Sequence, residues 1–336
     1  MAAEQGAILV TGGAGYIGSH VAKALATSGR AVVVYDNLSS GHRGAVMWGD
    51  LVVGDVRDTE RVRDTIRCHR VSAVMHFAAL LLVGESVQDP LGYYSNNVDG
   101  TLSLVRAMVA ESVGCFVFSS TAAVFGDPDQ TPIDERHATR PINPYGETKL
   151  AVERALPHIE RAHGIRSVTL RYFNAAGSDP DGELGEEHHP ESHVIPLAIG
   201  AALGGAPLRI FGDDYATPDG TCLRDFVHVT DLAQAHLLAL RRLEQDGPSA
   251  TYNLGNGRPF SVRNVIESVE RVGGRPVTWQ RAPRRSGDPG VLFASSDRIR
   301  QELGWSPAFG DLDRIVETAW RWKMDHPEGY RKGTGD

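Results

Sequence analysis

The chain is short of cysteine, of long apolar runs and of positive charge, and each shortage removes a class of function. Cys68, Cys115 and Cys222 are widely spaced and form no CxxC pair, so neither a disulfide framework nor a zinc site can be read from them. That usage fits a reduced cytoplasm. No stretch approaches the roughly 18 uninterrupted apolar residues of a membrane helix. The opening MAAEQGAILVTGG runs directly into a strand, without a basic and then apolar leader, so neither a membrane span nor a targeting signal is expected. With a formal net charge of −8, the chain lacks the basic field that a nucleic-acid surface requires. No nucleic-acid partner is expected, and any phosphate it recognises belongs to a small ligand. Internal repeats and low-complexity tracts are also missing.

What is present is an ordinary globular composition, 41% apolar and 23% charged over 336 residues, in a chain too long for one core. Two packed lobes are expected, independent or sharing a cleft. Through the first 170 residues, apolar β-branched runs (AILVTG, AVVVYD, SAVMHFAA, CFVFSS, SVTLRYF) alternate with helical patterns, such as those over 17–28 and 59–69. Strands this apolar have no wet side, so the alternation predicts an α/β fold: a Rossmann-type doubly wound parallel sheet. From Gly177 the texture changes to GSDPDGELGEEHHPESH, a long polar loop. We therefore expect a dinucleotide-binding domain over 1–176, to which a segment near 225–250 returns, and a smaller mixed α/β substrate-binding domain over 177–336. A helix is expected over 231–243.

Between the first strand and the first helix lies TGGAGYIGSH, in which Gly13-x-Gly15-x-x-Gly18 overlaps Gly12-x-x-Gly15-x-x-Gly18. Glycines there permit a tight turn and a close approach of diphosphate to backbone N–H groups at a positive helix end. Asp36 ends the second strand, where a carboxylate accepts from a ribose diol and repels a 2′-phosphate, which favours NAD over NADP. Asp55, after the third strand, is placed either to bond the adenine amine or to cap a helix. Phe77, Ala78 and Ala79 end the fourth, where small residues let backbone lie against a dinucleotide; packing explains them equally well.

A second constellation is Asn143-Pro144-Tyr145-Gly146-Glu147-Thr148-Lys149. Asn143 and Pro144 suit an N-cap and first helical position, which places Tyr145 and Lys149 four apart on one helix face. A free tyrosine has a pKa of about 10, so a base acting near neutrality needs a shift of roughly 3 units, or about 4 kcal/mol. A nearby ammonium and a positive nicotinamide ring both favour the phenolate.

The order glycine turn, Asp36, Ser119-Ser120-Thr121, then YxxxK resembles the extended short-chain dehydrogenase/reductases. That resemblance implies Thr121 for the substrate hydroxyl, Tyr145 as acid/base, and Lys149 for the nicotinamide ribose and a lowered tyrosine pKa. TGGAGYIGSH, VYDNLS, HFAA, VGESVQDPLGYYSNNVDGT, FSSTAAVFGD, NPYGETKL, LRYFNAAGS, FGDDYATPDGT, RDFVHVTDLA, YNLGNG and APRRSGDP, in that order, resemble the UDP-galactose (UDP-glucose) 4-epimerases across essentially the whole chain. The family's cofactor contacts carry onto Gly12, Gly15, Tyr16, Ile17, Gly18, Asp36, Asn37, Leu38, Ser39, Ser40, Gly41, Asp55 and Val56. They continue through Phe77, Ala78, Ala79, Leu81, Asn96, Ser119, Tyr145, Lys149, Tyr172 and Phe173. Its substrate contacts carry onto Thr121, Tyr145, Asn174, His193, Val194, Arg209, Phe211, Arg224, Arg285, Asp288 and Leu292. Of these, Asn174, Arg224 and Arg285 are implied at the diphosphate or uridine, Phe211 at the uracil and Asp288 at the uridine ribose.

The resemblance implies inversion at sugar C4 through a 4-keto intermediate, with tightly bound NAD regenerated each turnover, and a homodimer. Ala122 and Ala123 stand where dehydratases of this branch carry an acid pair, which argues against water elimination. Two departures bear on the sugar: Leu81 replaces a family lysine, and Leu292 holds a gate position facing the C2 substituent. UDP-N-acetylhexosamines, UDP-uronic acids and UDP-pentoses therefore stay open beside UDP-glucose and UDP-galactose. His188, His189 and His193 in EEHHPESH lack the spacing of a helical metal motif and read as polar loop residues, so no metal is expected.

Overall fold

The computed structural model of the chain describes residues 6–285 and 289–330. Its elements run β1 (Ala7–Thr11), α1 (Tyr16–Thr27), β2 (Val32–Asp36), β3 (Asp50–Val53), α2 (Thr59–Cys68), β4 (Val71–His76), α3 (Val83–Gln88), α4 (Pro90–Tyr94), α5 (Gly100–Ala110), β5 (Cys115–Thr121), α6 (Pro144–His163) and β6 (Arg166–Tyr172). There follow β7 (Asn174–Ala176), α7 (Val194–Ala202), β8 (Leu208–Phe211), β9 (Leu223–His228), α8 (Val229–Glu244), β10 (Ala250–Leu254), β11 (Pro259–Ser261), α9 (Val262–Gly273), β12 (Trp279–Ala282), β13 (Val291–Leu292), α10 (Asp297–Leu303) and α11 (Leu312–Asp325). The chain divides into two compact units: 1–126, 138–171 and 233–252 form one, and 127–137, 172–232 and 253–336 the other. Among the described residues no helix is long and apolar enough to cross a membrane.

The first unit holds a seven-stranded sheet in the order β10-β6-β5-β4-β1-β2-β3. β1 pairs in parallel with β2 and with β4, and β2–β3 and β4–β5 are parallel as well. The strand order reverses at β1, which is the arrangement of a doubly wound dinucleotide-binding sheet, with its crevice at the carboxyl ends of β1 and β4. Every residue of β1 and β2 is buried, in agreement with their unbroken apolar runs. Leu9, Val33, Tyr35, Val74, Phe116 and Phe118 form the sheet's share of a core that includes Leu104 and Met108 of α5.

One polar chain threads that core. His76, at the end of β4, lies between Thr11 of β1 and Thr101 of α5, at 2.6 and 2.8 Å. Thr101 spends its own proton on the Asn97 carbonyl, so the ring donates through Nε2 and accepts the Thr11 hydroxyl at Nδ1. Burial, with help from the Lys149 charge, drops this imidazole to about 3 and keeps it neutral. α4 and α5 are one helix interrupted by a π-turn over Ser95–Asp99. The wider turn aims Asn97 inward. Its amide accepts from Leu80 N–H at 2.9 Å and donates to Leu80 O at 3.0 Å and to Thr148 Oγ1 of α6 at 3.1 Å.

The second unit is built round β9, which pairs with β7, β11 and β13; β8 and β12 form a separate parallel pair. α7, α9 and α11 supply Ile195, Ile199, Val265, Val269, Ile315 and Val316 to its core. Asp225 of β9 is fully buried and accepts N–H bonds from Asn256 at 2.7 Å and from Gly257 and Ala294 at 3.2 Å. Burial lifts its carboxyl to about 6. A methyl group on Gly255 would fall 2.3 Å from that carboxylate, so glycine is required where this loop crosses β9.

Removing the Asn97 amide takes away the partner of the part-buried Leu80 N–H and carbonyl. Asn97→Ala is expected to cost about 1–3 kcal/mol of stability, read by urea denaturation; a loss under about 0.5 kcal/mol would show that water replaces the amide.

Candidate active site

The glycine turn is a place where backbone touches backbone. Gly12 sits at φ 73°, and a methyl group on it would fall 2.5 Å from the Ala78 nitrogen; one on Gly18 would fall 2.3 Å from the Gly12 carbonyl oxygen. Gly15, the N-cap of α1, brings no side-chain acceptor to the positive helix end, where an anionic diphosphate is favoured. Asp36 is buried at the end of β2, and its two oxygens accept from Ala14 N–H at 3.0 Å and Leu38 N–H at 2.8 Å. Burial raises its carboxyl, against the pull of those two bonds. The loop after it folds back: His42 N–H donates to Ala14 O, and Gly41 packs on Ala14. Asn37, Leu38, Ser39, Ser40 and Gly41 are thereby gathered beside the turn, with Leu38 at φ 58° and Asn37 Oδ1 accepting Ser39 N–H.

Asp55 is not the cap that its sequence position also allowed. Asp58 caps α2, accepting from Arg61 N–H at 3.0 Å, while Asp55 is held by the Arg57 guanidinium and by Asn37, which depress its carboxyl. Val56 is buried beside it. β4 ends at His76, so Phe77, Ala78 and Ala79 lie just past it; the Phe77 ring packs on His236, 4.8 Å between centroids. Ala78 faces Gly12 through its backbone. Leu81 is 41% exposed. Asn96 donates to its neighbour Asn97 at 3.0 Å.

β5 and α6 carry the catalytic candidates. Asn143 caps α6 and accepts from Gly146 N–H at 2.9 Å, and Pro144 is the first helical residue, as the sequence predicts. Thr121 ends β5, its Oγ1 accepting Ala123 N–H at 3.1 Å, and its side chain favours the ionised Tyr145 phenol. Desolvation pushes that phenol up rather than down; Thr121 opposes the shift without reversing it. The lowering expected from Lys149 is thus not produced by the chain alone. Lys149 is 4% exposed, and Nζ donates to Ser119 O at 2.9 Å and lies 5.0 Å over the Phe118 ring. Burial draws the ammonium down to about 8, opposed by the Glu153 charge. The Ser119 hydroxyl pairs with His236 at 3.1 Å.

In the second unit, two groups of sequence-predicted residues assemble. Arg224 of β9 has Leu292 of β13 as its register partner, and Asn174 of β7 faces Phe226 two residues on, its amide donating to Asp225 O at 2.9 Å. On β8, the period-2 alternation buries Leu208 and Ile210 and leaves Arg209 and Phe211 on the other face. The Phe211 ring takes the Arg285 guanidinium at 3.9 Å and that of Arg209 at 5.0 Å. His193 is the N-cap of α7 and Val194 its first residue. Tyr172 closes β6, and Phe173 is buried, its N–H donating to Leu254 O at 3.3 Å. Asp288 lies outside the described residues.

Residues 8–255 match the sequence profile described as the NAD dependent epimerase/dehydratase family. The chain belongs to that family. It is 52% identical over 325 residues to the UDP-glucose 4-epimerase of Halalkalibacterium halodurans, covering 96% of this chain and 97% of that one. Among solved structures it resembles the Brucella ovis UDP-glucose 4-epimerase in complex with NAD (51% identity, TM-score 0.92, 94% of this chain and 97% of that). It also resembles the Bifidobacterium longum enzyme in complex with NAD+ and UDP (34% identity, TM-score 0.90, 96% and 99%).

The glycine-rich turn, the positive helix end and Asp36 all fit the family's dinucleotide. Sequence reasoning passed over Asn97, Glu153 and Arg171. Glu153 and Arg171 form an ion pair at 2.5 Å with side chains 7% and 9% exposed, and the Ser120 hydroxyl donates to the same carboxylate. Glu153 follows Lys149 by one helical turn, a spacing that could have flagged it.

Between about pH 8, where Lys149 titrates in the fold, and about 10.4 in the unfolded chain, the unfolded state binds more protons. Stability due to this group therefore rises with pH across that window. Relative to Lys149→Met, the parent is expected to gain up to about 3 kcal/mol between pH 7 and 10, measured by denaturant titration; a pH-independent difference would reject a buried ammonium.

Proposed function

We propose that the chain is an NAD-dependent isomerase that interconverts UDP-glucose and UDP-galactose by inversion at C4. The observation that carries this reading is Thr121 at the end of β5, followed directly by Ala122 and Ala123, with Tyr145 and Lys149 one turn apart on α6. Tyr145 provides one proton-transfer group for one sugar hydroxyl, and the alanines add no acid or base for elimination. The near full-length likeness to curated UDP-glucose 4-epimerases supports the same reaction. NAD, held by Gly12, Gly15, Gly18 and Asp36, supplies when bound the two-electron oxidation and re-reduction of C4. Tyr145 takes the O4 proton and returns it, Thr121 holds that hydroxyl at the phenol, and Lys149 contributes the fixed positive charge. Arg224, Arg285 and Asn174 suit the diphosphate, and Phe211 with its flanking guanidinium groups suits a uracil face.

A second reading keeps the reaction and changes the sugar. Leu81 brings no cation to its loop, and Leu292 lies beside Arg224 with a side chain of intermediate size; both bear on groups at C2 and C6. We further propose a cytoplasmic homodimer. An exposed apolar face on α3 and α4 supports association: Val83 45%, Val87 64%, Leu91 81% and Tyr94 41% exposed.

Purified protein given UDP-galactose and no added NAD is expected to yield UDP-glucose without accumulating NADH; a released keto sugar with stoichiometric NADH would point to an oxidoreductase instead. Tyr145→Phe should lose about 10²–10⁴ in kcat while keeping its cofactor, and unimpaired turnover would refute Tyr145 as the acid/base. UDP-GlcNAc, UDP-glucuronate and UDP-xylose, scored for C4 inversion alongside, decide between the two sugar readings.

A further inference from the structure

The loop from β7 to α7 gathers nitrogen and oxygen donors, of which only His193 is also implied at the substrate. Glu186, His188, Glu191 and His193 each offer one nitrogen or oxygen, and these four atoms all lie within 4.8 Å of one another. His188 Nδ1 is 3.3 Å from Glu186 Oε1 and 3.6 Å from Glu191 Oε2, and His193 Nδ1 touches the same Glu186 oxygen. The two imidazoles stand edge to face, with centroids 5.1 Å apart. The Glu186 side chain is 5% exposed. Glu191 is oriented by its own loop: Oε1 accepts N–H bonds from Ser192 at 2.7 Å and His193 at 2.8 Å, which turns Oε2 toward His188.

We propose that these four side chains bind one divalent transition-metal ion, with zinc as the best match. Zinc takes histidine nitrogen and carboxylate oxygen at about 2.0–2.2 Å in a tetrahedron, which separates neighbouring donors by about 3.3–3.6 Å. The His188 contacts have that spacing. Calcium and magnesium select oxygen donors, and two imidazoles select against them. Two carboxylates balance the ion's charge, which is what a partly buried site needs. A closed set of four protein ligands makes the site structural, a cross-link that fixes the loop to the start of α7, where Val194 follows His193. His189 belongs to the same run but not to the site: it pairs with Glu187 at 2.9 Å, and Glu187 also accepts Tyr330 N–H.

The test is metal content and does not depend on the epimerase reading. Untagged protein made with zinc in the medium and dialysed is expected to carry about one zinc per chain by mass spectrometry. Co2+ put in its place should show the visible absorption of a tetrahedral ion. Glu186→Gln, His188→Ala and His193→Ala should each retain at least tenfold less zinc, and their thermal midpoints should no longer rise when Zn2+ is added. His189→Ala should retain it in full. Should Glu186→Gln fail to fold, the two histidine variants, at more exposed positions, decide alone. Parent protein with no more zinc than His188→Ala, or His189→Ala losing as much as His188→Ala, overturns the proposal.

Discussion

The N-terminal unit depends on a contact that leaves no room for a β-carbon: the Gly12 carbonyl against Gly18, with Gly12 itself against the backbone of Ala78. The first approach pulls the start of α1 onto the end of β1. The second pulls the segment after β4 onto the same turn. Three chain segments therefore meet through backbone alone, and their N–H groups are brought near a positive helix end, the environment an anionic dinucleotide needs. A side chain at either glycine would have to separate two of the three, so the contact sets the geometry rather than merely permitting it.

From that turn, order is carried to the catalytic helix by polar groups. Thr11, one residue before Gly12, bonds His76; His76 bonds Thr101; Thr101 bonds the Asn97 carbonyl; and the Asn97 amide holds both Leu80 and Thr148, whose hydroxyl donates to Tyr145 O. Each member has its partners, so the chain is rigid instead of costly. It links the cofactor end of the sheet to the backbone of Tyr145. A second buried group, Ser120, Glu153 and Arg171, stands one helical turn beyond Lys149 and supplies a negative charge that keeps the ammonium from falling further.

The residues legible from sequence are those whose job is local. Glycine spacing, Asp36 at a strand end and Asn143-Pro144 before a helix act through backbone geometry within a few residues, and each appears where its pattern predicts. The sheet was equally legible, because strands buried on both faces must be apolar throughout. Long-range partners left no such mark. Asn97 reads as one asparagine of a pair until a π-turn aims it at Leu80, seventeen residues back. Glu153 reads as a surface acid until β6 brings Arg171 to it. Asp55 and Asp58 are both credible caps in VVGDVRDTE, and only the path of the chain assigns the role to Asp58. His188 and His193 lie five residues apart with no helical period, so only the fold of the loop reveals that Glu186 and Glu191 face them.

The basic residues sharpen the assignment of Lys149. The chain has 30 arginines and only four lysines, Lys23, Lys149, Lys323 and Lys332. Among the described residues, Arg57, Arg171, Arg271 and Arg284 each grip an acid. Arginine serves there because its fork matches a carboxylate and its charge never leaves it. Position 149 is different in kind. Its partner is one backbone carbonyl, its surroundings are dry, and its charge is already drawn to about 8. A guanidinium keeps its charge whatever surrounds it, whereas an ammonium is a compact charge whose hold on its proton follows its surroundings. Lysine at this buried site supplies that property one helical turn from the Tyr145 phenol.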